Sequence, residues 1–173
     1  MSRIRLYIAV SLDGYIATPD GGVAWLEPFN AGDYGYEDFL KSIGTLVMGR
    51  ATFDQVQGFG DWPYEGKRAI VMTSRPVETL PEGAEVRNAN ATAVADEARA
   101  FGGGDVWLTG GGNVVWQFLD AGLIDEMELF VMPLLLGAGV RLFPDGASRS
   151  GLALKDSQPH PNGVVRLLYA VGG

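Results

Sequence analysis

The sequence predicts an α/β domain with a mainly parallel central sheet, covered by helices and closed at its C-terminal side by an antiparallel hairpin. Three observations carry this. Strand-length apolar runs alternate with helical patterns over residues 4–121, as crossover-connected parallel strands do. Beyond Glu126 the pattern is strand only, ending in two runs around the turn Pro159-His-Pro-Asn-Gly163. Between these regions, Asp105-Val-Trp-Leu-Thr109 runs into Gly110-Gly-Gly112 and an apolar-periodic helix. Glycines at such a joint let a ligand or another backbone approach closely.

Residues 4–11 are apolar on both faces and read as a buried strand, broken by Asp13-Gly14. Pro19-Asp-Gly-Gly22 is a turn, and residues 23–34 form a loop carrying proline, glycine and aromatics without a period. A short helix over 36–43, a strand over 45–48 and a short helix over 51–56 follow. Strands are expected over 69–73 and 84–87. Residues 91–101 form an alanine-rich helix, with Thr92 as its candidate cap and Gly102-Gly-Gly104 as its stop. The strand 105–109 and the helix 113–121 come next, then a strand over 126–136 whose Pro133 marks an edge or a bulge. Residues 152–157 and 164–171 form the closing hairpin. With no linker, internal repeat or low-complexity tract, residues 1–173 are expected to form one domain.

Composition narrows the function. Hydrophobic residues make up 47%, so the chain is globular. It has no cysteine, which excludes disulfides, thiolate metal sites and thiol nucleophiles. The net charge of −8, with no basic stripe, opposes nucleic acid and anionic membranes as partners. An anionic cofactor must then be held by local donors. The single histidine, His160, sits in a turn and reads as a solvated loop residue, and no ligand cluster suggests a metal. The first apolar run is too short for a signal-peptide core or a membrane span, so a cytoplasmic location is expected.

Ligands of such sheets gather at the carboxyl ends of the parallel strands. Three ends here carry glycine or polar groups: Gly49-Arg-Ala-Thr52, Thr73-Ser-Arg75 and Thr109-Gly-Gly-Gly-Asn113. The third lacks the Rossmann spacing, because its last glycine slot is Val115 and the acidic position about 20 residues on is Phe130. Taken singly, the glycines are a tight turn, Arg75 a solvated charge and Arg50 an ordinary ion-pair residue. Taken together, they match the pieces of a dinucleotide. Two helix starts suit a pyrophosphate, and a hydroxyl beside a guanidinium suits an extra phosphate monoester.

These residues resemble the dihydrofolate reductase-like superfamily, and within it the C-terminal reductase domains of riboflavin-biosynthesis deaminase-reductases, as a stand-alone member. The likeness rests on Ala9-Val-Ser-Leu-Asp-Gly-Tyr-Ile16, Met48-Gly-Arg-Ala-Thr-Phe53, Thr73-Ser-Arg75, Gly110-Gly-Gly112, Leu123-Ile-Asp-Glu126, Pro133 and Gly137-Ala-Gly139. It implies the three-layer dihydrofolate reductase-like fold, NADPH as cofactor and a homodimer built on the C-terminal strands. Gly49, Arg50, Ala51 and Thr52, with Thr109, Gly110, Gly111, Gly112, Asn113 and Val114, would hold the cofactor, and Gly110-Gly111 would have an unusual, cis backbone. Thr73, Ser74 and Arg75 would read its 2′-phosphate, and Ala9 and Ile16 would flank its nicotinamide. Residues 13–25 would form a mobile loop over the site.

Trp25 and Phe53 are the expected substrate contacts, and Asp13 and Glu37 the proton-handling candidates. The chain departs from the riboflavin pattern in having no Arg or Lys between Leu26 and Leu40, where a ribose phosphate would be anchored. The expected function is NADPH-dependent reduction of a small heterocycle, resembling 5-amino-6-(5-phosphoribosylamino)uracil reductase. Dihydrofolate reduction and a non-catalytic nucleotide-binding role are the alternatives. An open cavity beside Asp13, Trp25 and Glu37 would separate a catalyst from a sensor.

Overall fold

A computed structural model describes residues 1–172. Its main sheet has eight strands in the order β5-β4-β3-β6-β1-β7-β10-β9. These are β1 (Ile4–Ser11), β3 (Ile43–Gly49), β4 (Arg68–Met72), β5 (Ala84–Arg87), β6 (Asp105–Gly110), β7 (Glu126–Met132), β9 (Gly151–Pro159) and β10 (Val165–Gly172). Pairing is parallel from β5 to β7 and antiparallel where β10 joins β7 and β9. The expected architecture is therefore present, and the C-terminal hairpin lies where the sequence places it.

Alternation along each strand splits the core into layers. Ile4, Leu6, Val47, Ile70, Val106 and Leu108 face α3 (Ala91–Phe101) and α4 (Gly112–Asp120). Leu46, Met48, Ala69, Val71 and Trp107 face the opposite side, with α1 (Tyr36–Lys41) and α2 (Arg50–Gly58). A third, smaller cluster builds on Phe130, Met132 and Val164, under the loop that contains Trp25 and Phe29. No helix among the described residues is long and apolar enough to cross a membrane.

Several local readings are corrected. The strand expected over 126–136 stops at Met132: Pro133 has no N–H to donate, and Leu134 N turns back to Met132 O at 2.8 Å. The segment after it returns to β1 through Leu12 N to Leu134 O, 3.0 Å. It then supplies β8 (Val140–Arg141), which pairs with β2 (Tyr15–Ala17) in a separate two-stranded sheet. Both strands are too short to leave a periodic signal. Within the loop over 23–34, Ala24–Phe29 forms a 3-10 helix. The cap of α3 is Asn90, whose Oδ1 accepts from Ala93 N at 2.9 Å; Thr92 already lies inside the helix. Gly104 of the triplet also lets two backbones cross, since a Cβ there would stand 2.5 Å from Ser42 O, and one on Gly44 opposite would stand 2.6 Å from Gly102 O.

A ladder of charge ties the outer strands together on the α1 side. Glu128 on β7 meets Arg5 on β1 at 3.3 Å and Arg166 on β10 at 2.5 Å, and Arg166 reaches Asp156 on β9 at 2.7 Å. The Glu128 side chain is 7% exposed, and those of Arg5 and Arg166 are 14% and 19% exposed. Removing the shared anion leaves two arginines half-paired in a largely desolvated place. Glu128→Ala is expected to lower unfolding free energy by about 3 kcal/mol, read as a lower urea midpoint. An unchanged midpoint would show that water replaces the carboxylate.

Candidate active site

The winding of the sheet changes direction between β3 and β6. From β3 the chain proceeds outward to β4 and β5; it then crosses back to β6 and continues to the far side through β7. A crevice opens at such a switch, at the carboxyl ends of the strands. Met48 of β3 is level with Gly110 of β6, so α2 and α4 start beside one another. Each starts on a glycine, Gly49 or Gly111, with no side-chain cap and no acid in its first turn. By contrast α3 is capped by Asn90. The first N–H groups of α2 and α4 therefore lack a capping side chain, and both positive dipole ends face one crevice.

The Gly110–Gly111 peptide is cis, as the resemblance implies. Thr52 brings its hydroxyl against this turn: a Cβ on Gly111 would lie 3.4 Å from Thr52 Oγ1. A Cβ on Gly112 would lie 2.8 Å from Arg141 O and 3.3 Å from a Val140 methyl, so β8 closes directly over the start of α4. The crevice encloses about 750 Å³. Ala9, Ile16, Gly49 to Thr52 and Thr109 to Val114 all line it, so twelve of the expected cofactor residues converge on one space.

Thr73, Ser74 and Arg75 stand outside this lining. They are joined to it through Arg50, which donates to Asp54 Oδ1 (2.7 Å) and to Pro76 O (2.8 Å). Arg50 thus spans from the start of α2 to the 73–76 loop. Thr73 Oγ1 accepts from Arg75 N at 3.1 Å and shapes that loop, leaving the Arg75 side chain exposed.

The expected catalytic and substrate residues are placed differently. Asp13 does not line the crevice. Its Oδ1 accepts from Ser11 Oγ (2.6 Å) and Leu136 N (3.1 Å), and its Oδ2 from Gly137 N (2.8 Å). The Ser11 hydroxyl, aided by the two amides, holds the carboxyl below its ordinary range. Asp13 therefore stays ionised and clips the 133–139 segment to the end of β1. Glu37 is exposed on α1, outside the lining, because the short helix turns that side to solvent. Phe53 is fully buried and packs on Trp62 with ring centroids 5.8 Å apart, so it is core.

Trp25 also falls outside the lining and packs with Ala9, Tyr34 and Phe130, its Nε1 buried without a partner. His160 is not a freely solvated loop residue: its ring meets Tyr34 edge-on at 5.0 Å. Tyr34 holds the 23–34 loop by donating to Phe29 O (2.9 Å) and accepting from Asn162 Nδ2 (2.7 Å).

The sequence reading missed a second wall of the crevice, formed by Asp20, Gly21, Val23, Leu26 and Gln55. Gln55 Nε2 donates to Gly21 O at 2.8 Å and joins the 18–22 turn to α2. Gln55 lies three residues beyond Thr52, on the same helix face, and that spacing was the signal available for it. Thr18's hydroxyl, and then the Gly22 amide, holds the Asp20 carboxyl below its ordinary range. Asp20 and Arg50 are the only ionisable side chains in the lining.

The family described as RibD C-terminal domain matches residues 2–166. The chain is similar to Bacillus subtilis (strain 168) YwjB, with 36% identity over 155 residues, covering 88% of this chain and 89% of that one. It is similar to the dihydrofolate reductase HdrB of Haloferax volcanii, with 31% identity over 127 residues, covering 68% of this chain and 61% of that one. It also superposes on the crystal structure of a protein assigned to riboflavin biosynthesis in Shewanella sp. PV-4. There the TM-score is 0.87 and the identity 31%, with both chains fully covered. These likenesses support a reductase-type function.

Two outcomes are expected. Gly112→Ala forces β8 away from the start of α4, because the new methyl meets backbone rather than a flexible side chain. Dinucleotide affinity should fall at least about tenfold, as loss of a charge-assisted contact would cause. Unaltered binding by calorimetry would show that β8 yields freely. The depressed value of Asp13 means that its contribution to stability is present above its ordinary value of 3.8 and is lost only as pH falls through the lower folded value. Cofactor affinity between about pH 5 and 8 should then show no step that Asp13→Asn removes. Such a step would return Asp13 to the proton-handling role.

Proposed function

Since the chain belongs to the RibD C-terminal domain family, we propose that it is an NADPH-dependent reductase of a small heterocyclic substrate. The observation that carries this is the pair of uncapped helix starts, α2 and α4, opening side by side into one crevice. Their residues fit a pyrophosphate: glycines remove side chains where the backbone must come close, and the Thr52 hydroxyl stands between the two turns.

In this reading the N–H groups of Gly49 to Thr52 and Gly110 to Asn113 bind the cofactor phosphates. Arg75 pairs with the 2′-phosphate from the 73–76 loop, which Arg50 holds in place. Ala9 and Ile16 flank the nicotinamide, with Leu26 and Val23 excluding water opposite. Bound there, the nicotinamide ring would supply a hydride to the substrate. The open cavity lies beside Ala9 and Ile16 and not, as expected of a catalyst, beside Asp13, Trp25 and Glu37, and Asp20 is held ionised, so the matching proton is assigned to water. Dihydrofolate should be a poor substrate, because the only acids on α1, Glu37 and Asp38, are exposed.

The same reading includes a homodimer. β9 is exposed along its whole length, with Leu152 and Leu154 45% and 56% exposed. They continue the face of Tyr169 and Val171, and an apolar edge hairpin of this kind is ordinarily covered.

The test is cofactor titration. NADPH should bind more tightly than NADH. Arg75→Ala should weaken NADPH about tenfold or more, with little effect on NADH, as a charge-assisted phosphate contact requires. Equal affinities in the unmodified protein would sink the NADPH assignment.

A further inference from the structure

We infer that the substrate of this site carries no phosphate or carboxylate group, and that Asp20 is the side chain that selects against one. The inference rests on the reductase reading of the crevice and concerns the charge class of what enters beside the cofactor.

The ionisable groups of the crevice point to it first. Of the two in the lining, Arg50 is committed to Asp54 and to the Pro76 carbonyl, toward the 73–76 loop. The remaining one, Asp20, lies on the wall formed by Val23, Leu26 and Gln55. The 18–22 turn fixes it firmly. Gly21 N donates to Thr18 O (2.8 Å), Thr18 N donates to Gly22 O (3.0 Å), and Gln55 ties the turn to α2. The Asp20 bonds to Thr18 Oγ1 and Gly22 N both fall on Oδ1, which leaves Oδ2 for whatever enters.

The second observation concerns the stretch of chain that carries that wall, although its Asp33 and Asp38 line a separate cleft together with Arg5 and Arg166. Residues 18–40, which include the turn, the 3-10 helix and most of α1, contain Asp20, Glu27, Asp33, Glu37 and Asp38 and no lysine or arginine. The next cation, Lys41, is paired with Asp38 at 3.2 Å. Arg141, on the strand that closes over α4, has its guanidinium laid on the Tyr15 ring, 5.5 Å from its centroid. An anionic substrate would thus meet Asp20 in the lining and find no cation there but the committed Arg50, since Arg141, which keeps its charge over the Tyr15 ring, stands outside the lining. Neutral and cationic substrates are not opposed in this way. The helix starts do attract anions, but the proposed cofactor occupies them.

The experiment uses the full chain saturated with NADPH for turnover and with NADP⁺ for binding. Two matched pairs of probes differ in anionic charge: 5-amino-6-ribosylaminouracil against its 5′-phosphate, and the dimethyl ester of dihydrofolate against dihydrofolate. In each pair the neutral member should win in kcat/KM, or in Kd where turnover is slow, by about tenfold or more, since like charges brought together are costly. Asp20→Lys should narrow that ratio or reverse it, and Asp20→Asn should move it part of the way. The inference is overturned by an anionic member that equals or beats its neutral partner. It is overturned equally by a ratio indifferent to Asp20→Lys, or by neutral members that neither bind nor react while NADPH still binds. Failure of NADPH itself to bind the unmodified protein would instead remove the underlying reductase reading.

Discussion

The side-by-side pairing of β3 and β6 is the constraint on which the crevice depends. Each strand hands its chain to a helix through glycine, and register places Gly110 level with Met48, so the two helix starts cannot avoid facing a common space. Neither start spends a side chain on its own amides. Such groups are costly to leave unmatched when a ligand or a lid excludes water. The sheet also gains little from the glycines themselves. They are placed where Val114, Arg141 and Thr52 come close, and that proximity is what a pyrophosphate site needs.

Around this centre a few long-range polar ties hold the loops, beside the apolar packing of Trp25, Leu26 and Phe29 under the 23–34 loop. Asp13 clips the segment after β7, Gln55 latches the 18–22 turn, Arg50 anchors the 73–76 loop, and Tyr34 fastens the 23–34 loop to the last hairpin. Of these, the Gln55 and Tyr34 ties hold the segments that carry Asp20, Gly21, Val23 and Leu26 of the crevice. The Glu128 ladder does the corresponding work for the strands, since exposed β9 depends on its pairing with β10 and on charge.

Much of this was legible in the sequence, because strand alternation and glycine at strand ends are local signals. The strand ends Gly49 to Thr52 and Thr109 to Asn113 follow from them, whereas Ala9, Ile16 and Val114 came only from the family resemblance. What failed were readings in which a residue type suggested chemistry but its direction was unknown. Asp13 before glycine looks like an acid at a loop, yet its oxygens are consumed by amides more than 120 positions away. Phe53 is on the correct helix but on its inner side. Glu37 is on the correct side of the sheet but on the outer face of a six-residue helix. Asp20 and Gln55 were passed over because a turn residue and a helix glutamine carry no distinctive pattern until the turn is folded against the helix. β2 and β8 are three and two residues long, below the length at which alternation can be seen.

The tie between Tyr34 and Asn162 spans 128 positions, and that between Asp13 and Gly137 spans 124. A contact that closes so long a loop is entropically late. The outer strands must be made and docked before the loops they hold can settle. During synthesis, the glycine turns and the inner strands can assemble from the first two thirds of the chain, whereas the 23–34 loop waits for the final hairpin. The wall that carries Val23 and Leu26 would then be the last part of the crevice to be completed in the life of the nascent polypeptide.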